Sequence, residues 1–154
     1  MSTVETYQIT CHSLDETLAF AASLGSKLRG GEVIELMGDL GSGKTAFVKG
    51  LAQGLGSTDM VSSPSFTLSN EYRAGDRRLL HFDFYRLNDP GIMRQELAEV
   101  VGDPQVVTAI EWADVVAEVL PADHLTIEFQ TLGENERQLN CRYPESLAYL
   151  FPNT

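Results

Sequence analysis

Residues 38–45 read Gly-Asp-Leu-Gly-Ser-Gly-Lys-Thr and satisfy G-x-x-x-x-G-K-[ST] at every fixed position. This run constrains the fold more than any other feature of the chain, because a phosphate-binding loop needs a strand before it and a helix after it. Both are predicted. Val33-Ile34-Glu35-Leu36-Met37 is a short apolar run suited to a buried strand, and Phe47, Val48, Leu51, Ala52 and Leu55 recur at helical spacing. Glycines allow successive backbone N–H groups to curl round phosphate oxygens, and the helix start adds its positive dipole end. On this pattern Asp39, Leu40, Gly41, Ser42, Gly43, Lys44, Thr45 and Ala46 are candidate nucleotide-binding residues. Lys44 is expected to reach the β- and γ-phosphates and to play no part in packing. The Thr45 hydroxyl is expected on Mg²⁺.

The chain has 154 residues, which allows one domain over 1–154 with a sizeable core. No apolar stretch approaches the roughly 18 residues that span a membrane, and Met1 to Thr10 carry no basic signal-like region, so a cytosolic protein is expected. The net charge is −11 and the only lysines are Lys27, Lys44 and Lys49. Such a chain is a poor stand-alone binder of nucleic acid, which needs a basic face for its phosphates. Cys11 and Cys141 stand far apart without a CxxC pair, which argues for reduced, buried thiols and against zinc.

Ser13 with Glu16 three residues on forms a capping-box signature for a first helix, with Leu14, Leu18, Ala21, Ala22 and Leu28 as its apolar face and Gly30-Gly31 as its stop. Gly54 and Gly56 are expected to end the helix after the loop. A strand is predicted over 66–72 and a turn at Ala74-Gly75-Asp76. Arg78 to Tyr85 alternates clearly, with Leu80, Phe82 and Phe84 on one side and His81, Asp83 and Tyr85 on the other. Asp89-Pro90 opens a helix that Gly102 ends. Val106 to Ile110 reads as a second buried strand, followed by a short helix with Val115, Val116, Val119 and Leu120. Residues 125–132 and 137–143 read as a closing hairpin, and the tail from Glu145 as a helical turn. This order predicts an α/β fold of the P-loop type, a mixed sheet flanked by helices.

Hydrolysis requires more than the loop: an acid to hold Mg²⁺ and a group to orient water. In α/β sheets that acid stands at the carboxyl end of a strand near the loop. Glu111, directly after the apolar run ending at Ile110, is the best candidate, with an ordinary surface acid as the competing reading. Asp83 is the second, with a solvated strand face as its alternative. His81 is open between proton transfer and service as a hydrogen-bond partner to a neighbouring acid. Trp112 is open between packing near the nucleotide and simple core packing. The hydroxyls of 62–67, Ser-Ser-Pro-Ser-Phe-Thr, suit a segment that orders on a γ-phosphate and equally a turn into a strand.

Taken together, the loop at 38–45, Ser63-Pro64-Ser65-Phe66-Thr67-Leu68 with Asn70-Glu71-Tyr72, His81-Phe82-Asp83-Phe84-Tyr85-Arg86-Leu87 and Ile110-Glu111-Trp112 resemble the TsaE (YjeE) family, in order and over about residues 10 to 140. The H-x-D-x-Y-R-L strand and the I-E-W end are much more specific than the loop. The resemblance implies a small bacterial P-loop ATPase that binds ATP and Mg²⁺ and assists synthesis of tRNA N6-threonylcarbamoyladenosine (t6A). It implies TsaD and TsaB as protein partners, with tRNA engaged only through that complex. It places Thr45 and Glu111 on Mg²⁺, makes Asp83 necessary for hydrolysis with Lys44 and Glu111 beside it, and puts adenine near the first-helix start and the late hairpin, where Ser13 and Arg137 are the candidates. The chain departs from the family at Ser65, where threonine is more common, and at Phe84, where leucine is usual.

Three other readings compete. A P-loop small-molecule kinase usually needs an Arg-bearing lid, and the eight arginines here are dispersed. A small GTPase would carry N-K-x-D, which is absent. A non-catalytic nucleotide-gated binding module would use the same Mg²⁺ ligands and stays open on sequence alone.

Overall fold

The computed structural model describes residues 4–39, 41–57, 60–62, 70–85 and 91–152. Strands β1 (Val4–Cys11), β2 (Val33–Met37), β3 (Met60–Ser62), β4 (Asn70–Ala74), β5 (Arg77–Asp83), β6 (Val106–Glu111), β7 (Leu125–Thr131) and β8 (Arg137–Pro144) form one sheet. Its order is β1-β8-β7-β2-β6-β5-β4-β3. Helices α1 (Leu14–Lys27), α2 (Lys44–Leu55) and α3 (Gly91–Val100) flank it, with 3₁₀ segments at Ala113–Val119 and Glu145–Leu150. The mixed sheet flanked by helices is the expected fold class.

The pairing determines where a site can form. β5, β6, β2 and β7 are mutually parallel, and the pairs at both ends of the sheet are antiparallel. All four parallel strands therefore end on the same side, and side chains beyond those ends converge. In register, Asp83 lies opposite Glu111, Glu111 opposite Leu36, and Leu36 opposite Ile127. β6 is buried at all six positions, as a central parallel strand covered on both faces must be.

One face of the sheet packs on α1 and α2 through Ile34, Leu36, Phe47, Leu51, Ala109 and Ile127, among others. The other face packs on α3 and the first 3₁₀ segment through Val33, Phe82, Leu97, Ile110 and Val116, among others. The valine, leucine, isoleucine and phenylalanine side chains among these contribute roughly 1.5–3 kcal/mol each when fully buried. The two helices of the first layer touch backbone to backbone: a Cβ at Gly25 would lie 2.2 Å from the Leu51 carbonyl oxygen, and one at Gly54 would lie 2.0 Å from that of Ala22. Gly54 therefore sits inside α2 for contact, whereas the expected pair of terminators reduces to Gly56, left-handed at φ 114° just past the helix.

Several boundaries differ from the sequence expectation. β1 was not predicted, because Val4 to Thr10 is polar and mostly exposed; its support comes from the ladder to β8, Val4↔Pro144 through Cys11↔Arg137. The capping box at Ser13 is formed, Ser13 Oγ accepting from Glu16 N–H at 3.1 Å and Glu16 accepting from His12 N–H at 3.1 Å. Leu14 nevertheless points outward at 53% exposure, and Thr17, Ala21, Leu24 and Gly25 make the buried face of α1. The strand expected over 66–72 is β4 from Asn70, its first residues lying outside the described ones. The short helix after β6 is a kinked 3₁₀ segment in which Val116 is buried and Val115 is not. Both cysteines are free and buried. No helix among the described residues is long and apolar enough to cross a membrane.

Candidate functional site

The glycine loop leaves β2 at the centre of the four parallel strand ends and turns into α2. Gly41 at φ 78° and Gly43 at φ 103° hold left-handed backbone that a side chain would resist, and a Cβ at either would meet nothing within 4 Å. The loop is thus shaped by backbone need rather than by crowding. Ser42 N–H bonds to the Asp39 carbonyl at 3.1 Å. The Ser42 hydroxyl is buried without a hydrogen-bond partner among the described residues. An unpaired buried hydroxyl in a glycine cradle fits an anion such as phosphate. Leu40, the 63–68 segment, Arg86-Leu87 and Asp89-Pro90 lie outside the described residues.

Lys44, in the first turn of α2, is only 4% exposed. Its Nζ donates to the Gly38 carbonyl at 2.5 Å, stands 3.9 Å from Glu111 Oε1 and lies 4.2 Å above the Trp112 ring. Burial pushes the lysine pKa down, while Glu111, Asp83 and Asp39 oppose that shift through their charge. The expectation that Lys44 is dispensable for packing is corrected here: its stem and ammonium fill the floor of the site. Thr45, next in the helix, is exposed.

Glu111 is also 4% exposed, so it is no ordinary surface acid. Its Oε2 lies 2.5 Å from His81 Nε2. The supposedly polar face of β5 is likewise not a solvated one. His81 is 4% exposed, and Asp83, half-buried, stands beside Glu111 in the ladder. Asp83 Oδ1 accepts the Tyr85 N–H at 3.0 Å, which fixes the carboxylate at the strand end. The structure thus brings together Lys44, Glu111, Asp83 and the glycine loop, and adds His81. Two hard oxygen donors, the Thr45 hydroxyl and the Glu111 carboxylate, suit Mg²⁺, which takes few protein ligands and keeps water and phosphate for the rest.

Trp112 occupies left-handed backbone at φ 57°, ψ 51°, where among the described residues every other positive φ belongs to glycine. A bulky side chain in that region is strained, and such strain gathers at functional sites. Its ring rests 5.0 Å from that of Tyr85 and lies under the lysine, so it is a site residue rather than plain core. A cavity lined by Leu36, Gly38, Lys44 and Trp112 opens beside it.

Arg137, at the start of β8, reaches the loop from the hairpin side. Nε donates to the Ser42 carbonyl at 2.9 Å and Nη2 to that of Gly41 at 3.4 Å. Nη1 donates to the carbonyls of Gly133 and Glu136, both at 2.9 Å, and more weakly to Glu134 at 3.3 Å. Ser13 stands at the start of α1 as its N-cap, and the adjacent His12 lies 3.5 Å from Glu136 in the hairpin turn. The first-helix start, the hairpin turn and the loop therefore meet at one end of the molecule. The backbone clamp by Arg137 and the burial of His81 have no local sequence signal; only the strand pairing reveals them.

This sheet order, with the glycine loop entering α2 from a central parallel strand, defines a P-loop-type α/β domain. The family model described as "Threonylcarbamoyl adenosine biosynthesis protein TsaE" matches residues 11–139. The tRNA threonylcarbamoyladenosine biosynthesis protein TsaE of Bacillus subtilis (strain 168) is 40% identical over 126 residues, 81% of this chain and 78% of that protein. Its namesake in Aquifex aeolicus is 36% identical over 134 residues, 86% and 92% of the two. The crystal structure of YdiB from Bacillus subtilis superposes with a TM-score of 0.73 at 31% identity, covering 94% of this chain and 89% of that one. The chain belongs to the TsaE family of threonylcarbamoyl adenosine biosynthesis proteins.

Proposed function

We propose that this protein binds and hydrolyses ATP with Mg²⁺ as an accessory to tRNA N6-threonylcarbamoyladenosine synthesis, working with TsaD and TsaB in the cytosol. The observation that carries the reading is the buried Lys44 ammonium, 3.9 Å from the Glu111 carboxylate at the mouth of an intact glycine loop. In this reading the loop N–H groups and the Ser42 hydroxyl cradle the phosphates, and Lys44 turns from the Gly38 carbonyl to the β- and γ-phosphates. Thr45 and Glu111 would hold Mg²⁺, which when bound would supply positive charge beside the phosphoryl oxygens. Asp83 orients the attacking water from the neighbouring strand end. Arg137 and Ser13 flank the nucleotide from the hairpin and the α1 start. With a net charge of −11 the chain leaves tRNA contact to other subunits.

Positioning dominates phosphoryl transfer, so losing Asp83 should lower turnover more than affinity. Asp83→Asn is expected to bind ATP within about tenfold of wild type, ~1.4 kcal/mol, yet to lose most hydrolysis and t6A synthesis in the presence of TsaD and TsaB. The isolated wild-type protein should turn over slowly. Phosphate release measured with and without those partners tests this. Undiminished hydrolysis by Asp83→Asn removes its role, and fast hydrolysis by the isolated protein removes the accessory one.

A further inference from the structure

His81 has no task in that scheme, although among the described residues of the site its contact with Glu111, at 2.5 Å, is the shortest between two side chains. The 2.5 Å contact joins His81 Nε2 to Glu111 Oε2, and an imidazole N–H is a donor that a carboxylate oxygen can accept. His81 lies opposite Ala109 in the β5–β6 ladder and Asp83 opposite Glu111, so residues 81, 83, 109 and 111 share one face. The imidazole therefore reaches Glu111 from one pleat deeper in the sheet and holds Oε2. Oε1 is left on the side of Lys44, at 3.9 Å, beyond hydrogen-bond reach. Among the described residues, His81 is the group within hydrogen-bond distance of this carboxylate.

We propose that His81 is a positioning residue for Glu111: it fixes the carboxylate so that one oxygen is held in the sheet and the other is offered to the cation site. The inference rests on the ATP and Mg²⁺ reading above. The imidazole ring is short and rigid, so it holds the carboxylate oxygen at one place in the sheet, which a long lysine or arginine stem would not do. Partners behind a metal-ligating group orient it and commonly matter 10- to 100-fold for metal affinity. At 4% exposure the ring is also poorly placed to exchange protons with bulk water, which favours orientation over proton transfer.

The test compares wild type, His81→Leu and His81→Gln by calorimetric titration with ATP, once with Mg²⁺ and once in EDTA. Wild type should bind ATP more tightly with Mg²⁺. His81→Leu should lose about 10- to 100-fold of Mg²⁺-dependent affinity while binding in EDTA stays within about threefold. His81→Gln, whose amide N–H can stand in for Nε2–H, should recover most of the loss. Wild-type Mg²⁺ dependence in a folded His81→Leu protein overturns the inference. So does equal weakening by both variants with and without Mg²⁺, the mark of a core defect. If His81→Leu does not fold, nitrogen NMR of the wild-type ring decides, a proton on Nε2 being expected and a ring bare at Nε2 overturning it. Wild-type binding indifferent to Mg²⁺ would overturn the magnesium reading and this inference together. A Mg²⁺-dependent wild type with an unchanged His81→Leu overturns this inference alone.

Discussion

Among the described residues Lys44 and Glu111 form an ion pair at 3.9 Å, and this pair should register in stability as well as in binding. Replacing Lys44 with methionine keeps most of the stem and removes the ammonium; replacing Glu111 with glutamine keeps shape and removes the charge. At 3.9 Å and an effective dielectric near 20, two unit charges attract by about 4 kcal/mol. The net figure is smaller. Burial already pushes the Lys44 pKa down despite three carboxylates around it, so desolvation takes a large share. Lys44→Met should therefore relieve one buried charge and strand another. Its cost comes from a buried Glu111 left without its cation, and the double variant should recover part of it. We expect a coupling of about 1–3 kcal/mol in the cycle of wild type, Lys44→Met, Glu111→Gln and the double variant. Urea unfolding at neutral pH without nucleotide measures it, with the denaturant slope checked for constancy. Additive effects, a coupling below about 0.5 kcal/mol, would refute the claim that the loop lysine is held by this acid before nucleotide arrives.

Two further outcomes follow from the geometry. Arg137→Lys keeps the cation, yet one ammonium cannot serve both the Ser42 carbonyl and the hairpin turn. ATP affinity in calorimetry should fall about tenfold, ~1.4 kcal/mol, with a melting temperature close to wild type, and unchanged affinity would show that the loop keeps its shape unaided. The His124 pKa is raised above 6.5, chiefly by its 3.2 Å contact with Glu35, with burial opposing and the Pro121 carbonyl assisting. A raised folded pKa means that the stabilisation is fully present below 6.5 and disappears as pH rises through the folded value. The melting-temperature advantage of wild type over His124→Asn should accordingly shrink from about pH 6 to about pH 9, and a constant gap would sink the assignment.

Much of this was legible in the residues because they report on backbone demands or on burial. The loop needs glycine and lysine at fixed places, and a central parallel strand needs an unbroken apolar run, so β2, β6 and Glu111 could be read directly. β1 could not, since an edge strand with a polar outer surface carries no burial signal and is specified by β8 at a sequence separation of 132, as in the Gln8–Asn140 contact. The alternation in β5 was visible, but its meaning was not. Polar residues on one face usually mean water, and here they mean the interior of a site roofed by α2. Arg137 shows the same limit, because its partners are main-chain oxygens that any sequence would supply.

The near-touching backbones of α1 and α2 have a mechanical consequence. Side chains normally act as bearings between helices, turning to other rotamers so that one helix can shift while the next stays put. At Gly25 and Gly54 there are none, and the carbonyls of Leu51 and Ala22 occupy the space that a methyl group would take. Displacement of one helix towards the other at these points meets main chain rather than a yielding side chain. Since α2 starts at the phosphate loop and α1 starts beside the hairpin turn, the pair is geared as a single stiff plate, with both of its leading edges at the site.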